Sequence, residues 1–133
     1  MMEQILIDTS VWINFFKNIK TPACDFLENN IGNMIITTCP TITQEVLQGI
    51  VSDKEEKKIK AYFDSFDRLV EEPYQIAMEA AELYRYLRKH GVTIRKPNDC
   101  LIAMYAIKNN IRLLNDDRDF TFIADHTALK LVE

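Results

Sequence analysis

Acidic residues at four places, Asp8, Glu45, Asp99 and the pair Asp116-Asp117, each fall where a short apolar run ends or a helix begins. Asp8 closes the run Ile5-Leu6-Ile7, and Asp116 and Asp117 follow Arg112-Leu113-Leu114-Asn115. Glu45 lies in the first turns of the helix expected after Met34-Ile35-Ile36-Thr37, and Asp99 stands beside Asn98 in the first turn of a helix opened by Pro97. In open parallel sheets, ligands bind outside the carboxyl ends of the strands. One pocket at those ends would gather all four. Such a cluster suits divalent-metal chemistry, because Mg²⁺ and Mn²⁺ are hard cations that take carboxylate oxygens and keep several waters. Ions held this way activate water and neutralise charge developing on phosphate oxygens. Without a cation, two carboxylates about 4 Å apart repel by roughly 4 kcal/mol at an effective dielectric near 20. A gathered quartet therefore binds metal or carries raised pKa values.

Taken singly, each acid has a simpler role. Asp8, before Thr9-Ser10, suits a turn or a helix N-cap. Asp99 complements a helix dipole, Glu45 suits a solvated helix face, and Asp116, Asp117 and Asp119 suit turns and caps. Only the positions together point to a shared site.

The elements that would position them follow from hydrophobic periodicity. Residues 5–7, 34–37, 68–70, 112–115 and 129–132 read as short strands. Helices are expected over 11–16, from Thr21-Pro22 to about residue 31, beyond Pro40, over 53–66, over 74–90 up to a capping Gly91, from Pro97-Asn98-Asp99 to Ile107, and over 119–125. Apolar strands alternating with amphipathic helices predict an α/β fold: a three-layer α/β/α sandwich around a mainly parallel sheet of about five strands. At 133 residues the chain has room for one domain, residues 1–133.

Composition narrows the function. Sixteen Lys and Arg against twenty Asp and Glu leave a net charge of −4. Bulk charge therefore does not hold nucleic acid, which would need local basic patches or bound cations. Arg95 and Lys96, in the loop leading to Asp99, are the best-placed candidates, with Arg85, Arg88 and Lys89 just before them and Arg118 as another. Lys54, Lys57, Lys58 and Lys60 interleave with Glu55 and Glu56 as a solvated face. Cys24, Cys39 and Cys100 match neither zinc spacing nor a disulfide framework, which points to reduced thiols. The run Ile5-Leu6-Ile7 is too short for a signal peptide or a membrane span, so a cytoplasmic location with no membrane association is expected.

Four motifs in order, Ile5-Leu6-Ile7-Asp8-Thr9-Ser10-Val11-Trp12-Ile13, Thr43-Gln44-Glu45-Val46, Asn98-Asp99-Cys100-Leu101-Ile102-Ala103 and Leu114-Asn115-Asp116-Asp117-Arg118-Asp119-Phe120, resemble PIN-domain nucleases, more narrowly the VapC-type toxins of toxin–antitoxin pairs. The likeness spans nearly the whole chain. It implies a parallel sheet between helical layers and Mg²⁺- or Mn²⁺-dependent hydrolysis of RNA phosphodiester bonds by metal-activated water. Asp8, Glu45, Asp99 and Asp117 would form the acidic quartet, with Asp8, Asp99 and Asp117 as metal ligands. Asp116 and Asp119 compete with Asp117 for the fourth place. Ser10 would support the site through its hydroxyl, and Asp119 and Asn98 would stand behind the ligands, unless Asn98 serves as a helix cap. The resemblance also implies a homodimer and a cognate VapB-like antitoxin whose C-terminal segment occupies the groove near the acids.

No His or Cys nucleophile is required: His90 and His126 read as helix-end or surface residues, and Cys100 as packing. A haloacid-dehalogenase-like phosphatase would need an acid at position 10, where Ser10 stands. A receiver-like domain would need an aspartate after the third strand, where Glu71 and Glu72 stand. A housekeeping RNA-processing nuclease and a catalytically silent binding module are the alternatives within the same resemblance; four filled acidic positions favour activity.

Overall fold

Neighbouring residues of a strand point to opposite faces of its sheet, yet Ile5, Leu6 and Ile7 are all buried. Both faces of the sheet at this strand are therefore covered, which makes the molecule a three-layer α/β/α sandwich. The computed structural model describes residues 2–133. Its elements run β1 (Glu3–Ile7), α1 (Thr9–Phe16), α2 (Pro22–Asn30), β2 (Met34–Thr38), α3 (Pro40–Gln48), α4 (Asp53–Ser65), β3 (Asp67–Arg68), α5 (Pro73–Lys89), α6 (Asn98–Asn109), β4 (Arg112–Leu114) and α7 (Asp119–His126).

The sheet has the order β3-β2-β1-β4, and every pairing in it is parallel. β1 pairs with β2 from Glu3↔Met34 to Leu6↔Thr37, and with β4 from Ile5↔Arg112 to Ile7↔Leu114. The chain steps outward from β1 through β2 to β3, then returns to place β4 on the other side of β1. A crevice opens at such a switch in strand order, at the carboxyl ends of the strands. Here that crevice lies between the ends of β1 and β4, where Asp8 and Asp117 sit.

Two expectations need correction. The sheet has four strands among the described residues, not about five. Residues 129–132 form a single parallel bridge, Leu113↔Leu131. Leu113 donates its N–H to the Lys130 carbonyl and accepts the Val132 N–H at its own carbonyl, but β4 is only three residues long, so the ladder goes no further. β3 covers Asp67–Arg68 rather than 68–70, and Leu69, just beyond it, donates its N–H to the Thr38 carbonyl of β2.

Local chemistry explains the helix ends. α1 begins earlier than periodicity implies, because Asp8 caps it by accepting the Ser10 N–H. Thr21 caps α2 ahead of Pro22, and Ser52 caps α4 ahead of its acidic first turn. Gly91 follows the end of α5 at φ +82°, a left-handed conformation that favours glycine. Asn98 is the first residue of α6 rather than its cap, and Pro97 precedes it with helical angles. On the α1 side, Trp12 stacks on Phe16 and Phe66 and meets Phe63 with ring centroids 5.3 Å apart. This aromatic group fixes α1 against α4 and so holds the loop that carries Asp8.

Candidate active site

Asp8 ends β1 and caps α1, so its backbone is held from both sides. Its Oδ2 accepts the Ser10 N–H at 3.0 Å and the Ser10 hydroxyl at 2.6 Å. The same hydroxyl accepts the Asp116 N–H at 2.9 Å, which links the ends of β1 and β4. Asp8 Oδ1 is buried without any hydrogen-bond donor, and so is Asp99 Oδ2. Buried polar atoms are normally paired, and these two carboxylates line or adjoin one cleft of about 390 Å³ together with Thr9, Ser10, Glu45 and Lys96.

Glu45 enters the cleft from α3. Its Oε1 accepts the Thr9 hydroxyl at 2.6 Å, and its Oε2 has a long 3.5 Å contact from Asn98 Nδ2. Asp99, on the first turn of α6, has carboxylate oxygens within 4.8 Å of those of Asp117 and Asp119, and all three residues are buried. Asp117 Oδ1 accepts the Asp119 N–H at 3.0 Å. Asp116 turns the other way: its Oδ2 accepts from Asn14 Nδ2 and the Thr21 hydroxyl, bracing α1 and the start of α2. Geometry thus separates the three competing acids and leaves Asp117 and Asp119 beside Asp99.

The charges answer to this crowding. Burial pushes the Asp8 carboxyl up to about 6; the Ser10 hydrogen bonds oppose the rise and Glu45 adds to it. Burial, with the charge on Asp8 next, pushes Asp99 up to about 7 against the pull of Lys96. Burial also raises Asp117, but the Lys96 ammonium, the Asp119 N–H and Arg95 outweigh it and hold that carboxyl below its ordinary range. Cys39 lies near Asp8 and Glu45, but burial pushes its thiol up to about 12, so it is no nucleophile at neutral pH. All three cysteines are free and buried.

Two acids already have cations. Lys96 Nζ lies 2.6 Å from Asp117 Oδ2; Arg95 reaches Asp117 Oδ1 at 3.2 Å and Asp119 Oδ2 at 3.1 Å. These residues are singled out in the sequence as open phosphate contacts, whereas here they lie across the carboxylates. Arg118 is exposed and forms no ion pair among the described residues. Thr9 is the site residue that sequence reasoning passed over. Its signal was its place between Asp8 and Ser10, but only the approach of α3 reveals Glu45 as its partner.

The chemistry of the donor set fits a hard divalent cation: oxygen ligands only, several carboxylates in one cleft, and buried oxygens with no donor. The family model for the PIN domain matches residues 5–125. The chain belongs to the PIN domain family. Within it, this PIN domain is of the VapC kind. It is 32% identical to Ribonuclease VapC11 of Mycobacterium tuberculosis and equally to a VapC ribonuclease of Mycobacterium bovis, over 95% of this chain and 96% of each relative. Its fold is also that of solved VapBC structures. The VapBC2 structure from Rickettsia felis, bound to a promoter DNA fragment, matches with a TM-score of 0.72 at 19% identity, over 97% of both chains. VapBC-1 from nontypeable Haemophilus influenzae matches with a TM-score of 0.73 at 19% identity, over 98% of this chain and 97% of that one. The α/β architecture with its parallel sheet is therefore the PIN architecture, and it carries the acids at its switch point. Among the described residues no helix of this PIN domain is long and apolar enough to cross a membrane.

Proposed function

We propose that this PIN domain, residues 1–133, is a divalent-metal-dependent endoribonuclease and the toxin of a VapBC pair, acting in the cytoplasm. The observation that carries this reading is the pair of buried carboxylate oxygens, Asp8 Oδ1 and Asp99 Oδ2, that have no donor in a cleft of acids. Asp8, Asp99 and Asp117 would hold Mg²⁺ or Mn²⁺, with Asp119 supporting Asp117 through its backbone N–H. When bound, such an ion lowers the pKa of water and neutralises charge on phosphate oxygens.

The chain's own residues do the positioning. Ser10 fixes the Asp8 carboxylate by engaging Oδ2 alone, which leaves Oδ1 toward a ligand. Thr9 holds Glu45 by Oε1, so Oε2 is the oxygen that orients a water or accepts its proton. Arg118 at the start of α7, with Arg95 and Lys96 at the cleft, would meet RNA phosphates. An apolar groove of about 610 Å³ shares Ile13 and Glu45 with the acidic cleft and continues along Phe16, Val46 and Ile59, which suits the C-terminal segment of a VapB-like antitoxin. A homodimer completes the reading.

The test is cleavage of total cellular RNA by protein freed of any partner, with Mg²⁺ or Mn²⁺ against EDTA and Asp99→Asn beside the wild type. Discrete metal-dependent fragments that vanish in the variant are expected. Cleavage of equal extent by Asp99→Asn would overturn the assignment.

A further inference from the structure

Lys96 and Arg95 do not behave as surface cations that happen to lie near acids. The carboxylates they touch are almost wholly buried, with Asp117 and Asp119 side chains 6% and 5% exposed, whereas the Arg95 and Lys96 side chains are 62% and 56% exposed. The acids are the fixed partners. Asp117 accepts the Asp119 N–H, and both residues sit at the buried start of α7 beside Phe120. The cations are the movable ones, because each reaches the cluster on a long arm whose flank is open to water.

Only the arms are free, however. Ile94 is buried and anchors the loop, the Arg95 N–H contacts Asp119 Oδ2, and the Lys96 carbonyl accepts the Asp99 N–H at 2.9 Å. Lys96 therefore stays at the mouth of α6 whatever its side chain does. Its ammonium lines the same cleft as Asp8, Glu45 and Asp99 while bonding Asp117. A divalent cation held by Asp99 and Asp117 would compete with the Lys96 ammonium for the Asp117 carboxylate, and two cations at contact distance repel.

Building on the metal-site reading above, we infer that Lys96, aided by Arg95, is a displaceable internal counter-ion that occupies Asp117 in place of the metal and sets the divalent-ion concentration at which the site loads. In the metal-free protein it neutralises part of a cluster that would otherwise repel itself. On loading, its arm, already 56% exposed, swings into water while the ion takes over the neutralisation of the buried Asp117 carboxylate. Lys96 is a positioning residue in this sense: it acts on the ion through Asp117.

The test is calorimetric titration of Mn²⁺ alone, without RNA, into EDTA-stripped wild type, Lys96→Met, Lys96→Arg and Asp99→Asn. Lys96→Met is expected to bind Mn²⁺ about tenfold more tightly than wild type, the scale of one partly screened charge removed from the site. Its metal-free form melts at a lower temperature, and the rise in melting temperature at fixed Mn²⁺ is larger. Lys96→Arg, which keeps the charge, returns the affinity to within about threefold of wild type. A merely structural lysine would lower the melting temperature without tightening the metal. Equal or weaker Mn²⁺ binding in Lys96→Met, with binding still lost in Asp99→Asn, overturns the inference while the metal site stands. Mn²⁺ binding that survives Asp99→Asn overturns the site itself. Should Lys96→Met fail to fold, Arg95→Gln reads the same competition through Asp119 and Asp117 Oδ1: tighter binding supports the inference, and unchanged binding overturns it.

Discussion

Replacing Asp99 by Asn should stabilise the metal-free protein, and the gain should depend on pH in a defined way. The Asp99 carboxyl is raised by burial and by Asp8 from 3.8 to about 7. At 1.36 kcal/mol per pH unit, holding it ionised in the folded state costs about 4 kcal/mol. Asparagine fills the same space without a charge, but its buried amide loses about 1–3 kcal/mol where no partner meets it. The net gain at pH 8 is therefore about 1–3 kcal/mol, or roughly 4–11 °C in melting temperature for a chain of this length. For a carboxyl with a raised folded-state pKa, the native state holds more protons than the unfolded state between the two values. Wild-type stability thus falls as pH rises from about 4 to about 7, and Asp8, raised to about 6, contributes in the same direction. The advantage of Asp99→Asn should widen by about 2–3 kcal/mol between pH 5 and pH 8. Urea unfolding followed by Trp12 fluorescence, in EDTA at both pH values, measures it. An advantage that is absent at pH 8, or equal at the two pH values, would refute the claim that Asp99 sits ionised among like charges.

Four further outcomes follow. Mn²⁺ at one hundred times its dissociation constant should stabilise wild type by about 2.7 kcal/mol and leave Asp8→Asn and Asp99→Asn unmoved, as read by thermal melts. Ser10→Ala removes the hydroxyl shared by Asp8 Oδ2 and the Asp116 N–H, so it should cost about 1–2 kcal/mol and lower RNA cleavage more than stability alone explains, which melts and cleavage assays on the same sample separate. Phe63→Ala opens a hole against Trp12 and should cost about 3–5 kcal/mol, with the Trp12 emission shifted to the red. Arg112→Ala breaks a bidentate but exposed pair with Glu3 and should cost no more than about 1 kcal/mol in urea unfolding.

What could be read in the residues was what depends on local pattern. Ile5-Leu6-Ile7 and Leu113-Leu114 declare buried strands by composition, and the acids directly after them lie at strand ends wherever a parallel sheet forms. The fifth strand failed because a ladder needs two partners: residues 129–132 have the right pattern, yet β4 is too short to pair with more than one of them. Asn98 was open to reading as a cap because asparagine before a helix usually caps it, but Pro97 already holds helical angles and draws Asn98 inside α6. Arg95 and Lys96 look like an open basic patch in sequence. The carboxylates they meet in the fold lie more than twenty positions downstream, and only the return of β4 beside β1 brings those acids to them. Asp116 could not be separated from Asp117 by sequence, since adjacent residues share every pattern and differ only in the side to which the backbone turns them.

The acids of this cleft differ from several acids elsewhere in the chain that meet a partner. Glu3 is matched by Arg112, and Glu71 and Glu79 share Lys108. Asp116, one residue from the cluster, has both Asn14 and Thr21 on a single oxygen. Among the described residues the buried side-chain atoms left without a partner are Trp12 Nε1, Asp8 Oδ1 and Asp99 Oδ2. Asp8 and Asp99 line one cleft, and they carry the strongly raised carboxyls. A sequence able to place a hydroxyl on Asp8 Oδ2 and a lysine on Asp117 could have placed donors on these two as well. Departures from local consistency that cluster at one point mark functional sites. Here the departure has the sign, the hardness and the position that a divalent cation would remove.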